Sequence, residues 1–117
     1  MDRFTFLIGG ETMMKDDVKT WLNEQFVGDA EMIRLVWGEY LASAKAKLAE
    51  ARAALAAEDY PLLDRVAHTL KGNALMVGDA AFVAATVALR DAAKASDGTA
   101  SDRALVRLAE LDAENRA

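Results

Sequence analysis

Apolar residues recur along most of this chain at intervals of three and four positions, which is the spacing of one face of an α-helix. The longest such run covers residues 30–57, and similar runs predict helices at about 13–26, 61–77, 80–95 and 102–114. The gaps between these segments are short, so neighbouring helices are expected to be antiparallel. The pattern therefore predicts an all-α fold, an antiparallel four-helix bundle with an additional N-terminal helix. We expect a single domain over residues 1–117, with a flexible segment at 1–11.

Polar residues and glycine mark the ends of the predicted helices. Thr12, Asp29 and Asp79 are expected to be N-caps, because a side-chain oxygen can accept a hydrogen bond from a free backbone N–H at the start of a helix. Gly78 is a natural C-terminal stop for the third helix. The stretch SDGTASD, residues 96–102, is expected to be a loop before the last helix.

Composition and charge narrow the class of protein. The chain is 53% hydrophobic and 28% charged, which is typical of a globular domain, and it contains no cysteine, which excludes disulfides and thiolate metal sites. Its net charge of −5 is spread over both halves, so no basic stripe indicates binding to nucleic acid or to an anionic membrane. With no secretory signal pattern and no apolar run of roughly 20 residues, the expected location is the cytoplasm.

The third predicted helix carries the only histidine of the chain, His68, on the face that points away from the core. At about 100° per residue, six apolar side chains fall on the opposite face of this helix: Leu62, Leu63, Val66, Leu70, Ala74 and Val77. The residues around His68 on the outward face are Pro61, Asp64, Arg65, Lys71, Gly72 and Leu75. His68 is therefore expected to be accessible to a partner.

Gly72, one turn after His68, is the unusual residue of this face. A glycine inside a helix costs roughly 0.5–1 kcal/mol relative to alanine, so its presence at an exposed position suggests a need for space. Lys71 brings a cation to the same area. An accessible imidazole, a nearby ammonium group and bare backbone suit a phosphoryl group that arrives on another protein. The alternative for Lys71 is an ordinary solvated lysine, and the alternative for His68 is an idle surface residue.

The segment AHTLKGNALMVG, residues 67–78, resembles the histidine-containing phosphotransfer (HPt) domain of two-component phosphorelays. The resemblance rests on the run His68-x-Leu70-Lys71-Gly72 with Gly78 ten residues after the histidine. It extends over about residues 26–95, where a GD turn, a long helix and an A-x-x-D turn precede the motif. The sequence departs from the family at two positions. Asn73 replaces a usual Ser or Ala, and Leu75 replaces a small residue.

The resemblance implies a phosphorelay intermediate. The expected partners are response-regulator receiver domains or a hybrid histidine kinase, with no nucleic acid, membrane or small-molecule substrate. His68 would accept a phosphoryl group from a receiver phospho-aspartate through Nε2 and pass it to another receiver, and Lys71 would stabilise the phosphoryl charge. Gly72, Leu75, Asp64 and Arg65 would contact the receiver. No cofactor is expected on this chain, because the receiver supplies the Mg²⁺.

Other functions are open to the same sequence. The chain could be a non-catalytic helical adaptor or dimerisation domain, or the excised phosphorylation domain of a larger histidine kinase. Leu75 could also be covered by the N-terminal helix, through Trp21 or Phe26, instead of docking a receiver. Kinase or hydrolase activity of the chain itself is not expected, because it has no Gly-rich phosphate loop and no triad motif. A di-iron bundle would need Glu three residues before His68, where Arg65 stands.

Overall fold

The computed structural model describes residues 7–8 and 12–117. In these residues two short antiparallel strands, β1 (Leu7–Ile8) and β2 (Thr12–Met13), precede five helices. The helices are α1 (Asp16–Gln25), α2 (Ala30–Ala56), α3 (Tyr60–Val77), α4 (Ala80–Lys94) and α5 (Gly98–Arg116). Each of α2 to α5 packs against the next, α5 closes against α2, and α1 lies against α3. The predicted helical bundle with an additional N-terminal helix is confirmed.

The start of the first helix was predicted wrongly. Thr12 is not an N-cap, because it lies in β2, where it pairs with Ile8. The backbone at Thr12 is therefore engaged in strand pairing, and α1 begins only at Asp16, after Lys15. Of the segment 1–11 that was predicted to be flexible, residues 1–6 and 9–11 lie outside the described part of the chain.

The last helix begins four residues earlier than predicted. The side chain of Asp97 accepts a hydrogen bond from the backbone N–H of Ala100 at 3.0 Å, so it caps a helix that starts at Gly98. Ser101 is fully buried in the first turns of this helix. Most of the predicted 96–102 loop is therefore helical. Its polar composition indicated a loop, but Asp97 caps the helix and Ser101 packs into the core.

The ends of α1 to α4 and the starts of α2 to α4 agree with the predictions to within one residue, and α5 ends at Arg116, two residues later than predicted. Asp29 accepts a hydrogen bond from the backbone N–H of Met32 at 3.1 Å, and Asp79 accepts one from that of Phe82 at 3.4 Å. Gly78 ends α3 in the left-handed region, with φ 70°. A Cβ at this position would lie only 2.5 Å from Cγ of Trp21, so both the backbone conformation and the close approach of α1 require glycine.

The core lies between α2, α3, α4 and α5 and is filled by large apolar side chains. Its largest fully buried members include Trp37, Leu63, Leu70, Phe82, Leu89, Leu105, Leu108 and Leu111. The six apolar residues that the helical wheel of α3 placed opposite His68 all face this core, five of them buried and Leu62 half-buried. The wheel therefore gave the correct orientation of α3, and with it the outward direction of His68.

A buried carboxylate joins four elements at one end of the bundle. Asp79 has no exposed surface, and its Oδ1 accepts a hydrogen bond from Nζ of Lys15 at 2.6 Å. Its Oδ2 accepts hydrogen bonds from the hydroxyl of Tyr40 and Nδ2 of Asn115, each at 2.9 Å. Burial alone would raise the pKa of Asp79, but these three donors outweigh burial and lower it. Burial and the charge of Asp79 together raise the pKa of Tyr40 far above its usual range.

None of the helices in the described residues combines the length and the apolar content that a membrane crossing requires.

Candidate functional site

The structure places His68 on the exposed face of α3, where the sequence predicted it. Arg65, Gly72 and Leu75 on the same face are also exposed, and Asp64 and Lys71 are half-buried. Positions three and four apart on a helix are neighbours on its surface, so these side chains surround the imidazole. The structure therefore brings every predicted site residue to one face of one helix.

A second helix contributes a residue that the sequence analysis missed. Nη1 of Arg90 on α4 lies 3.1 Å from Nδ1 of His68, and Nε of Arg90 donates a hydrogen bond to Oδ1 of Asp64 at 2.9 Å. Nζ of Lys94 lies 3.9 Å from the same carboxylate oxygen. The pKa of Asp64 is lowered, chiefly by the hydrogen bond from Arg90 and further by the charges of Arg90 and Lys94. Arg90 on α4 therefore contacts both Asp64 and His68, and the imidazole of His68 is the member of this cluster that is exposed to solvent.

The register of the α3–α4 hairpin contains a signal for this contact. The turn between the two helices is centred near Asp79, and His68 and Arg90 each lie eleven residues from that position. Asp64 and Lys94 each lie fifteen residues from it. In an antiparallel helix pair, residues at equal distances from the turn lie at the same height. The equal spacing therefore indicates which residues of α4 lie beside His68 along the helix axis. It does not indicate which face of α4 meets His68, because that depends on how the two helices pack.

The area around His68 is a shallow basic depression. Its volume is about 340 Å³, and its lining residues are Asp64, Arg65, His68, Thr69 and Arg90. Arg65 and Arg90 outnumber the one carboxylate, which is already paired with Arg90. Lys71 and Lys94 add further positive charge next to the depression. In a chain with a net charge of −5, this excess of positive charge is local and suits an anionic group.

Among the described residues, no contact explains Gly72. A Cβ added to this residue would meet nothing within 4 Å, so the space beside it is open. Gly38 in α2 is equally open, so open space alone does not define a functional glycine. Gly72 differs from Gly38 in its position one turn from His68. The structure is therefore compatible with the clearance predicted for Gly72.

The C-terminal part of α3 presents apolar side chains to solvent. Leu75 is 52% exposed and Met76 is 70% exposed. The alternative in which the N-terminal helix covers Leu75 is wrong, because Trp21 instead packs at Gly78 and donates a hydrogen bond from Nε1 to the carbonyl oxygen of Met76 at 3.0 Å. Phe26 packs against the core. Leu75 is thus free to contact a partner.

A groove between α2 and α3 continues this apolar surface. Its volume is about 290 Å³, and it is lined by Val36, Glu39, Tyr40, Ser43, Asn73, Met76 and Val77. Nδ2 of Asn73 donates a hydrogen bond to Oγ of Ser43 at 2.8 Å, which ties α3 to α2. Asn73, one of the two departures from the family pattern, therefore has a structural role here.

In residues 7–8 and 12–117, no cluster of three or more histidine, aspartate or glutamate side chains could hold a metal ion.

A scan against protein-family models matches residues 35–116 to the Hpt domain, a span that includes most of α2 and all of α3, α4 and α5. This chain belongs to the Hpt domain family. Searches of curated proteins and of solved structures found no match. Family membership gives the chain a histidine phosphotransfer role in a two-component phosphorelay, in which Hpt domains interact with receiver domains and histidine kinases.

Proposed function

We propose that this Hpt domain accepts a phosphoryl group from the phospho-aspartate of a receiver domain onto His68 and passes it to a second receiver domain. The observation that carries the proposal is the setting of His68. It is the only imidazole in the chain, it is exposed on α3, and it lines a basic depression. A domain with a phosphotransfer role and a single accessible histidine has one candidate acceptor.

The transfer is a displacement at phosphorus. A lone pair on the imidazole forms the N–P bond while the P–O bond to the aspartate breaks, and the electron pair of that bond goes to the carboxylate. We assign attack to Nε2, since Arg90 lies against Nδ1. Lys71, three residues along α3, offsets the charge on the phosphoryl oxygens, because this chemistry depends mainly on positioning and electrostatics. The receiver supplies Mg²⁺, and this chain acts as a stoichiometric carrier.

The receiver contacts two kinds of surface on this chain. The basic depression at His68 complements the acidic, phosphorylated site of the receiver, and Arg65 faces it without an ion pair among the described residues. Leu75 supplies an apolar contact beside it, and Gly72 leaves room for the receiver to approach. Asp64 acts indirectly, since its carboxylate already holds Arg90.

Label transfer from a phosphorylated receiver tests this proposal. The wild-type chain is expected to take up acid-labile, alkali-stable label and to deliver it to a second receiver, whereas His68→Gln takes up none. Because His68 is exposed, the variant should melt at nearly the wild-type temperature. Label on His68→Gln at the wild-type rate would contradict the proposal. A helical adaptor would bind the receiver without taking label, and an excised kinase segment would take label only from a kinase with ATP.

A further inference from the structure

The contact between Arg90 and His68 has a fixed direction. A guanidinium group carries only hydrogen-bond donors and stays protonated in proteins, so Arg90 cannot accept a proton from the imidazole. The 3.1 Å contact from Nη1 of Arg90 to Nδ1 of His68 therefore requires Nδ1 to be the acceptor. A neutral imidazole has one N–H and one acceptor nitrogen, so Nε2 carries the proton in this arrangement.

This proton position conflicts with attack by Nε2. An attacking nitrogen needs a free lone pair, and in the tautomer that Arg90 favours the lone pair of Nε2 is replaced by an N–H bond. The tautomer that can attack carries its proton on Nδ1 and would direct that proton at a cationic donor. The nucleophilic tautomer is therefore unfavourable for as long as Arg90 remains on Nδ1.

Asp64 keeps Arg90 in this position. Nε of Arg90 is bound to Oδ1 of Asp64 at 2.9 Å, while its Nη1 reaches His68, so the two contacts use different N–H groups of one planar fork. The side chains of Arg90 and Asp64 are only 23% and 25% exposed. Lys94 adds a second cation 3.9 Å from the same carboxylate. The arginine is therefore anchored from α3 and aimed at the imidazole.

We propose that Arg90 is a positioning residue that holds unphosphorylated His68 in the Nε2–H tautomer and so restrains attack by Nε2 until Arg90 leaves Nδ1. The inference deepens the proposed function and rests on it for its role in the relay. When Arg90 withdraws, the proton moves to Nδ1 through solvent and frees the lone pair of Nε2. After the N–P bond has formed, Nδ1 loses its proton to solvent and can again accept a hydrogen bond from Arg90.

Nuclear magnetic resonance reads the tautomer directly. The full chain is labelled uniformly with ¹⁵N, and long-range ¹H–¹⁵N correlations are recorded about two pH units above the usual imidazole pKa. Since the chain has one histidine, the two ring nitrogens are identified without ambiguity. Three side chains at position 90 form an ordered series. Arginine donates a hydrogen bond to Nδ1 of His68, the methionine of Arg90→Met neither donates nor accepts one, and the carboxylate of Arg90→Glu can only accept one. The fraction of His68 that carries its proton on Nε2 is expected to fall in that order. Arg103→Met, on the exposed surface of α5, is the control and should give the wild-type spectrum.

A chemical donor then measures the consequence for attack. Phosphoramidate, a small molecule that transfers its phosphoryl group with release of ammonia, needs no receiver. Arg90→Met is expected to take label on His68 severalfold faster than wild type, while Arg103→Met labels at the wild-type rate. An unchanged tautomer in Arg90→Met, or slower labelling of that variant, overturns the proposal. Neither result depends on a receiver, so failure here is distinguishable from failure of the relay itself.

Discussion

Two carboxylates of this domain illustrate two different uses of the same chemical groups. Asp79 is fully buried and receives hydrogen bonds from Lys15, Tyr40 and Asn115. Asp64 lies in a partly exposed cluster, where Arg90 divides its N–H groups between the carboxylate and His68. The first cluster joins helices, whereas the second ends on the imidazole of His68, which faces solvent.

The comparison shows how burial separates stability from function. A buried carboxylate that loses a partner leaves an uncompensated charge, so its contacts are costly to change. A partly exposed ion pair contributes little to stability because water replaces its contacts. The cluster at His68 can therefore rearrange during a reaction, while the cluster at Asp79 holds the helices that carry it. The predictions below test this division.

Asp79→Ala is expected to have the largest effect. It should lower the free energy of unfolding by about 3–5 kcal/mol, since it leaves the buried donors of Tyr40 and Asn115 without their acceptor. Asp59→Ala is the matched control, because Asp59 caps α3 through the backbone N–H of Leu62 but is exposed, and it should cost only about 1 kcal/mol. Urea unfolding of both variants measures the difference. Equal losses in the two variants would show that Asp79 is only a cap.

The same cluster predicts a pH dependence. The pKa of Asp79 is lower in the folded chain than its ordinary value. The charged carboxylate therefore stabilises the fold above the ordinary carboxyl pKa of about 4, and this contribution is lost as the pH falls through the lowered folded-state value. Asp79→Ala should lack this acid-dependent part of the stability.

Lys71→Ala is expected to reduce the maximal rate of phosphoryl transfer about tenfold, which corresponds to roughly 1.4 kcal/mol of transition-state stabilisation. The affinity for the receiver should change less, because the ammonium acts most strongly while phosphoryl charge is redistributed. Rapid-quench kinetics at saturating receiver measure the rate, and Lys71→Arg, which keeps the charge, should retain most of it. An unchanged maximal rate in Lys71→Ala would make Lys71 an ordinary solvated lysine.

Leu75→Asp should weaken receiver binding by about 1 kcal/mol or more, roughly fivefold in Kd, and leave the melting temperature nearly unchanged. The expectation follows from its exposure of 52% beside the His68 site. Val106→Asp on α5 is the control, since Val106 is 43% exposed on a helix that does not carry the site. Calorimetric titration with the receiver measures the affinity. Wild-type affinity in Leu75→Asp would exclude Leu75 from the docking surface.

Substitutions of Gly72 are expected to have the smallest effect on stability, and a bulky one should separately slow phosphoryl transfer. Gly72→Ala should stabilise the domain by up to about 1 kcal/mol, because alanine favours a helix and the new Cβ would meet no other part of the described structure within 4 Å. Gly72→Gln should keep the fold but slow transfer from the receiver. Gly38→Gln is the control, since Gly38 is equally open but lies away from α3. It is on the face of α2 opposite Val36 and Tyr40, which line the groove between α2 and α3. Equal transfer rates in Gly72→Gln and Gly38→Gln would show that the receiver does not need the open space beside Gly72.

The sequence predicts the parts of this domain that depend on one helix at a time. The wheel of α3 correctly oriented Leu63, Leu70 and His68, because burial of one helical face follows directly from the spacing of its apolar residues. The ends at Asp29 and Gly78 were also predictable, since each depends on local backbone chemistry.

Features that depend on two elements were either missed or left with an open alternative. Thr12 was taken for a cap because its pairing with Ile8 is not visible in helical periodicity. Arg90 was overlooked because its contact with His68 depends on the rotation of α4 against α3, which packing determines. The exposure of Leu75 was settled only by the position of Trp21, which packs at Gly78 instead.

The most direct test of the central claim is to locate the phosphoryl group by mass spectrometry at alkaline pH after the full chain has reacted with a phosphorylated receiver. Trypsin is expected to release residues 66–71, VAHTLK, as one peptide that contains both His68 and Thr69. The account predicts one phosphoryl group on this peptide, assigned to His68 by fragmentation and lost on brief acid treatment. An acid-stable group on Thr69, a group on any other peptide, or no phosphoryl group at all would contradict it.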